Sequence, residues 1–146
     1  MTTVTMVRVA KERRQHFLQR ISALVSRAVD KKLRVSVVVA DEKRGEQFRQ
    51  QLWTADEGSF LPSGLVPGDA NALDPVVIFI NSAPPDESDI ILNFAPDPVR
   101  INWREADAQW VYDFVNPDTD EGREVARRKW NAYKLEGVEL SHAEEL

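Results

Sequence analysis

Hydrophobic and polar residues recur along the chain with the two periods that are typical of strands and helices. Residues 4–9 alternate and predict a short strand, and KERRQHFLQRISALVSRAVDKK then has apolar residues at helical spacing. The run LRVSVVVA, residues 33–40, is rich in β-branched residues and predicts a strand buried on at least one face. DEKRGEQFRQQLW predicts a second helix, which Asp41 would cap at its N-terminus.

The second half of the chain continues with three apolar runs and one amphipathic stretch. PVVIFI, residues 75–80, and DIILNF, residues 89–94, predict two strands joined by a turn at Pro84 and Pro85. QWVYDFV, residues 109–115, predicts a fifth strand, and residues 118–135 predict the last helix. Because helix crossovers usually connect parallel neighbours, this alternation predicts one three-layer α/β domain, residues 1–146, with a mainly parallel sheet.

Composition narrows the classes of protein that fit. With 146 residues, 42% of them hydrophobic, the chain can build one core. It has no apolar run of about eighteen residues and no apolar signal core near its start, so we expect neither membrane insertion nor secretion, and a cytoplasmic location. The net charge of -5 argues against a surface that binds nucleic acid everywhere, although it permits a local basic patch.

Catalytic constellations are weak in this sequence. The absence of cysteine excludes thiolate chemistry and cysteine zinc sites, and His16 and His142 have no motif around them. Asp41 and Glu42 would follow a strand, but the six glycines form no phosphate-binding pattern, so a helix cap is the better interpretation. Asp113 is likewise better explained by a structural role. We therefore predict no enzyme, no cofactor and no metal; an enzyme would instead hold a nucleotide or metal near Asp41.

The last helix carries a distinctive stripe. At 100° per residue three of its cations and one tryptophan fall within about 60° of each other: Arg123, Arg127, Trp130 and Lys134. Val125, Ala132 and Tyr133 lie on the opposite side, which predicts that Trp130 is exposed among cations. The charges alone are typical of a solvated face near a helix C-terminus. With the tryptophan, the stripe suits an acidic peptide that ends in an aromatic residue, or single-stranded nucleic acid.

A second apolar surface is predicted in LWTADEGSFLPSGL, residues 52–65. Trp53, Phe60, Pro62 and Leu65 lie in a segment whose glycines and prolines argue against regular structure. Two interpretations remain open at this point. These side chains either cover the edge of the sheet beneath a long loop, or form a docking patch for an apolar partner segment.

The loop surface and the helical stripe, in that order along the chain, resemble the chi subunit of the bacterial DNA polymerase III holoenzyme. LWTADEGSFLPSGL is similar to the family's signature after the second helix. VVIFIN, DIILNF and VYDFV follow at the family's spacing, before a closing AR-x-x-x-x-AYK-x-x-G, residues 126–137. The resemblance covers residues 33–140. It implies a Rossmann-like fold and a non-catalytic adaptor that links the clamp loader to single-stranded DNA-binding protein.

The resemblance also implies where partners bind. The acidic C-terminal tail of single-stranded DNA-binding protein, which ends in Pro-Phe, would dock on the last helix and the end of the preceding strand. This implies a set of four residues: Arg127 as the principal carboxylate-binding residue, Arg123 one turn earlier, Trp130 at an aromatic position and Val115 at the strand end. The psi subunit, and in related members a helicase, would dock on the loop surface, with Trp53 and Phe60 as anchors and Pro62 and Leu65 beside them.

Direct attachment to single-stranded DNA through the last helix is the alternative to peptide docking. One helix with four or five cations reaches only a few phosphates, so we expect such binding to be weak and steeply dependent on salt. An acidic peptide with a buried terminal aromatic would keep an apolar contribution when salt screens the charges. Salt dependence therefore distinguishes the two hypotheses.

Overall fold

The structure, a computed structural model, describes residues 2–54, 62–71, 73–106, 108 and 110–144, without the side chains of residues 53 and 54. In the described ranges there are seven strands and three α-helices, in the chain order β1 (Thr3–Arg8), α1 (Arg14–Asp30), β2 (Val35–Val39), α2 (Glu42–Thr54), β3 (Ser63–Val66), β4 (Val76–Ile80), β5 (Ile90–Asn93), β6 (Trp110–Val115), α3 (Asp120–Leu135) and β7 (Glu139–Ala143). A short 3-10 helix, Lys11–Arg13, leads into α1.

All pairings among the described strands are parallel, and they form one sheet in the order β3-β4-β2-β5-β6-β1-β7. The centre of the sheet is the most apolar part, because strands covered on both faces have no polar side. Every residue of β2 is buried, and so is every residue of β5. The predicted α/β class is therefore confirmed, and the sheet is parallel throughout the described strands.

Two separate hydrophobic clusters show that the domain has three layers. Residues of α1 and α2, among them Phe17 and Phe48, pack on one face of the sheet. Residues of α3, with Tyr133 at the centre, pack on the other face together with Val99 and Ala108 from the segment between β5 and β6. The side chains of β6 alternate between these clusters, as strand geometry requires.

The strands β3 and β7 were not expected from the sequence. The expectation of irregular structure in residues 52–65 was wrong for residues 63–65, which belong to β3, because Gly64 permits pairing rather than preventing it. A Cβ atom at Gly64 would collide with Ala70 and with the Asp74 carboxylate, so the missing side chain lets the following turn fold back on the strand. β7 is a polar edge strand that follows a turn at Gly137, where φ is 75°.

Helices connect β1 to β2, β2 to β3 and β6 to β7. In the described residues of the other three connections there is no α-helix, which explains why the alternation of strands and helices stops in the middle of the sequence. No helix among the described residues is long and apolar enough to cross a membrane.

Candidate functional site

The start of α3 is held close to the end of β6. Thr119 caps the helix, its hydroxyl accepting a hydrogen bond from the backbone N–H of Gly122 at 2.9 Å. A Cβ atom at Gly122 would collide with the carbonyl oxygen of Asn116, so glycine allows the helix to begin directly over the loop. Asp120 and Glu121 in the first turn stabilise the helix, because their negative charges lie at the positive end of the helix dipole. The helix is therefore fixed at the carboxyl edge of the sheet.

The inward face of α3 is polar at its centre. The Lys129 ammonium, 1% exposed, donates to the Asp113 carboxylate at 2.6 Å and to the Ala95 carbonyl at 2.5 Å. The Tyr133 hydroxyl donates to the same carboxylate at 2.6 Å, and the Asn93 amide donates at 3.1 Å. The Tyr133 oxygen also accepts the Val99 N–H at 2.8 Å. Four segments of the chain are thus joined by one buried network.

Burial is the leading cause of the pKa shifts of Asp113 and Tyr133. Desolvation raises the pKa of Asp113 above its ordinary value, while the Lys129 ammonium and the hydroxyl and amide donors oppose that rise. Desolvation, and then the neighbouring Asp113 charge, raise the pKa of Tyr133 far above its ordinary value, so its hydroxyl remains a donor. The structural role predicted for Asp113 agrees with this position.

The predicted exposure of Trp130 was wrong. Trp130 is half-buried, packs against the cluster beneath α3, and stacks on His142 of β7 with ring centroids 4.3 Å apart and planes 5° apart. The buried face of α3 differs from the predicted one, because Lys129 occupies an inward position where only apolar residues were expected. Val125 and Ala132, expected inward, are only half-buried. Trp130 therefore lies at the boundary between the core and the surface.

Arg127 and Arg123 face the solvent beside this aromatic pair. The Arg127 side chain is 70% exposed and donates to Glu124 at 3.1 Å. Arg123 pairs with Asp120 and also donates to the Pro117 carbonyl at 2.8 Å, so its guanidinium lies against the loop that precedes α3. Arg127 is thus the more available of the two for a carboxylate from outside.

Val115 ends β6 on the face that carries α3. Its side chain is 7% exposed and belongs to the same cluster as Tyr133, against which Trp130 packs. Val115 therefore supports the site from beneath. His142 is the residue that the sequence analysis missed, since its position depends on β7, and a polar five-residue segment gives little sequence indication of a strand.

The predicted loop surface is described only in part. Trp53 lies in the last turn of α2, but its side chain and the whole of Phe60 lie outside the described residues. Pro62 is exposed. Leu65, for which burial beneath the loop and a place on a docking patch were both open, is 5% exposed and packs in the cluster beneath α1 and α2, because its side chain points inward from β3. Leu65 accordingly supports this surface and offers little area to a partner.

Asp41 begins α2 in the way that the sequence predicts. Its carboxylate accepts the Arg44 N–H at 2.9 Å and pairs with the Arg44 guanidinium at 2.5 Å, and the backbone hydrogen bond is the leading cause that lowers the pKa of Asp41. In the described part of the chain no group of three or more His, Asp and Glu residues could hold a metal ion. A cleft of about 960 Å³ does lie over the carboxyl ends of the strands, lined by Val39 and Arg44 among others.

Comparisons with known proteins address the family and the fold. The family model for the DNA polymerase III chi subunit, HolC, matches residues 1–141. A comparison with curated protein sequences gave no match. Among solved structures, a chain in a Saccharomyces cerevisiae complex of a Dbp5 variant bound to Nup159, a Gle1 variant, IP6 and ADP is similar, with a TM-score of 0.56 and 12% identity.

This alignment covers 97% of the chain and 41% of the solved one, so the chain spans less than half the length of the structure that it matches. At that identity the likeness concerns the fold alone. The family match, by contrast, extends over nearly all of the sequence, from the first strand into β7. The chain therefore belongs to the DNA polymerase III chi subunit family, whose members are accessory subunits of that polymerase.

Proposed function

We propose that this chi-family protein is a non-catalytic cytoplasmic adaptor. It binds the acidic C-terminal tail of single-stranded DNA-binding protein on α3, and a psi-like partner on the surface around Trp53, Phe60 and Pro62 attaches it to the clamp loader. One observation carries the first half of the proposal. The exposed guanidinium of Arg127 lies on the same helix flank as the Trp130 ring, which is stacked on His142.

The chemistry of this flank suits the end of an acidic, aromatic-terminated peptide. A terminal carboxylate can replace Glu124 as the partner of Arg127, and arginine pairs with carboxylates through two parallel hydrogen bonds. The stacked indole and imidazole rings offer flat apolar area next to that charge, where a terminal phenylalanine would lose contact with water. Other acidic residues of the tail would meet Arg123 and Lys134.

The charges of α3 do not favour single-stranded DNA as its main ligand. Arg123 and Arg127 each pair with a carboxylate three residues earlier, and Lys129 is buried against Asp113. A long polyanion would have to displace both carboxylates while gaining few phosphate contacts. A short peptide that needs one carboxylate site and one apolar site makes better use of this surface.

Substitution of Arg127 tests the tail site. Arg127→Ala should weaken binding of an acidic peptide ending in Pro-Phe by tenfold or more, about 1 to 3 kcal/mol, because the peptide carboxylate loses its charged partner. Arg128→Ala is the matched control, since Arg128 is exposed on another side of α3. Isothermal titration calorimetry measures both variants. Equal affinity of wild type and Arg127→Ala would refute the assignment.

Substitution of Phe60 tests the second surface independently. Phe60→Ala should reduce co-purification with a psi-like partner, because an aromatic anchor commonly carries a large share of the binding energy at such contacts. The same variant should bind the acidic peptide like wild type. If instead Phe60→Ala lost the peptide and kept the partner, the two surfaces would have been exchanged.

A further inference from the structure

Positive charge is concentrated on a surface that the proposed adaptor function does not use. Residues 8–20 contain five lysines and arginines, one acidic residue and His16, a net charge of +4 with neutral histidine in a chain whose total is -5. The rest of the molecule therefore carries -9. Such a local excess of positive charge in an acidic protein attracts polyanions. The helix α3, by contrast, carries three acidic residues as well as its five cations.

These cations surround two neighbouring concavities. A cavity of about 20 Å³ is lined by Arg8, Arg13, His16 and Arg20, together with Glu144. The larger cleft at the carboxyl edge is lined by Lys11, Arg14 and Arg44. The two concavities share Val9 and Phe17, so the cations form one continuous band, which we call the α1 track.

Three cations of the α1 track are particularly accessible. Arg8, Lys11 and Arg14 are exposed, and in the described part of the chain their side chains form no ion pair. Arg44 pairs with Asp41, which lies outside the cleft lining. Among the described residues Asp118 is the one acidic residue that lines the cleft, and its carboxylate accepts the backbone N–H of Lys11 at 2.7 Å. The track therefore keeps a positive excess along its length.

The rest of the lining distinguishes a nucleic acid from a protein partner. Four amide side chains line the cleft together with the cations: Gln47, Gln50, Gln51 and Asn116. The rings at the base of the cleft stack on each other, Phe94 on Phe114 at 4.5 Å, so their faces are not open platforms for bases. The exposed large hydrophobic side chains of the described residues, Leu73, Trp110 and Leu135, do not line the track. The apolar residues of the cleft lining are buried or half-buried, whereas its lysine, arginines and amides are exposed. Such a cationic, amide-rich band suits a phosphate polymer better than a peptide.

The geometry points to the α1 track as a binding surface for the phosphodiester backbone of single-stranded nucleic acid, separate from the tail site on α3. Binding is independent of base sequence, since contacts go to phosphates. The chain then contacts the same strand that its proposed tail-bearing partner covers, through a different helix. This inference does not depend on the tail site, because none of the cations of the α1 track belongs to that site, although Val115 of the tail site also lines the larger cleft.

A pair of triple variants tests the inference. Arg8→Gln/Lys11→Gln/Arg14→Gln removes three exposed cations from the track, and Arg27→Gln/Lys31→Gln/Lys32→Gln removes three from the other end of α1. Both change the net charge equally. Fluorescence anisotropy with labelled oligo-dT, at several salt concentrations, measures affinity and its salt dependence. Thermal unfolding of both variants verifies that they fold.

The track variant should lose at least tenfold in oligo-dT affinity at low salt. Each phosphate contact contributes roughly 0.7 to the slope of log K against log salt, so the loss of three contacts should reduce the magnitude of that slope by about 2. The control variant should bind like wild type. Equal losses of affinity in both variants would mean that net charge alone explains the effect, and would overturn the inference. Absence of binding by wild type would also overturn it, as would competition by an acidic polypeptide as strong as that by unlabelled oligo-dT.

Discussion

At the scale of single residues, Lys129 decides how α3 faces the sheet. A lysine in a helix rich in cations indicates a solvated position, yet this side chain is 1% exposed and its ammonium lies 2.6 Å from the Asp113 carboxylate. The partner is sixteen residues earlier in the chain, on a strand, so no local pattern shows it. The sequence therefore identified the stripe of Arg123 and Arg127 but misjudged the exposure of Trp130.

Removing the ammonium should be costly. Lys129→Met keeps most of the volume but leaves Asp113 buried without its charged partner, and we expect a loss of about 3 to 5 kcal/mol in the free energy of unfolding. Urea denaturation measures this loss. The double variant Asp113→Asn/Lys129→Met should recover much of it, because both charges are then absent. Lys134→Met, at an exposed position of the same helix, is the control and should change stability by less than about 0.5 kcal/mol.

Two results would contradict the importance of the buried pair. One is a Lys129→Met variant as stable as wild type. The other is a double variant no more stable than the single one, which would mean that packing of the lysine stem, rather than the charge on Asp113, sets the stability of this network.

At the scale of elements, long periodic segments were predicted well and short edge strands were not. The helices and the five apolar strands follow from their own residues, because one buried face imposes a period. β3 and β7 have four and five residues, lie at the two edges of the sheet, and depend on neighbours distant in sequence. β3 is held by Asp69, which accepts the Leu65 N–H at 3.1 Å and the Arg49 guanidinium at 2.5 Å.

This connection should make stability depend on pH. The hydrogen bond from Arg49 is the leading cause that lowers the pKa of Asp69 in the folded state. A carboxyl group with a lowered folded pKa stabilises the fold above its unfolded pKa, about 3.9, and loses that contribution as the pH falls through the folded value. Asp69→Asn should therefore unfold at a lower temperature than wild type at pH 7, with a difference that shrinks below about pH 4.

Circular dichroism melting curves between pH 7 and pH 3 measure that difference. Glu87→Gln, at an exposed position outside the ion pairs of the described residues, is the control for removal of a surface carboxylate. A gap between wild type and Asp69→Asn that stays constant over this range would show that the carboxylate acts through its shape rather than its charge.

At the scale of the whole molecule, the α/β class follows from the alternation of helices and strands. The strand order does not follow from this alternation, because it depends on the side of the sheet's existing strands at which each crossover connection adds the next strand. The distribution of charge is also a property of the whole: residues 8–20 look like an ordinary basic helix start in the sequence, and only the fold joins them to Arg44 across the cleft. The cations of the tail site that we propose on α3 can be identified in the sequence, whereas the stacking of Trp130 on His142 depends on the three-dimensional fold.

The central claim is that α3 recognises an acidic peptide through its terminal carboxylate and terminal aromatic residue. The most direct test is fluorescence anisotropy of a labelled acidic peptide ending in Pro-Phe against the wild-type protein, with the C-terminally amidated peptide as its matched control. Saturable binding at near-physiological salt that weakens at least tenfold on amidation is the predicted result. Equal affinity for both peptides, or none for either, would contradict the account.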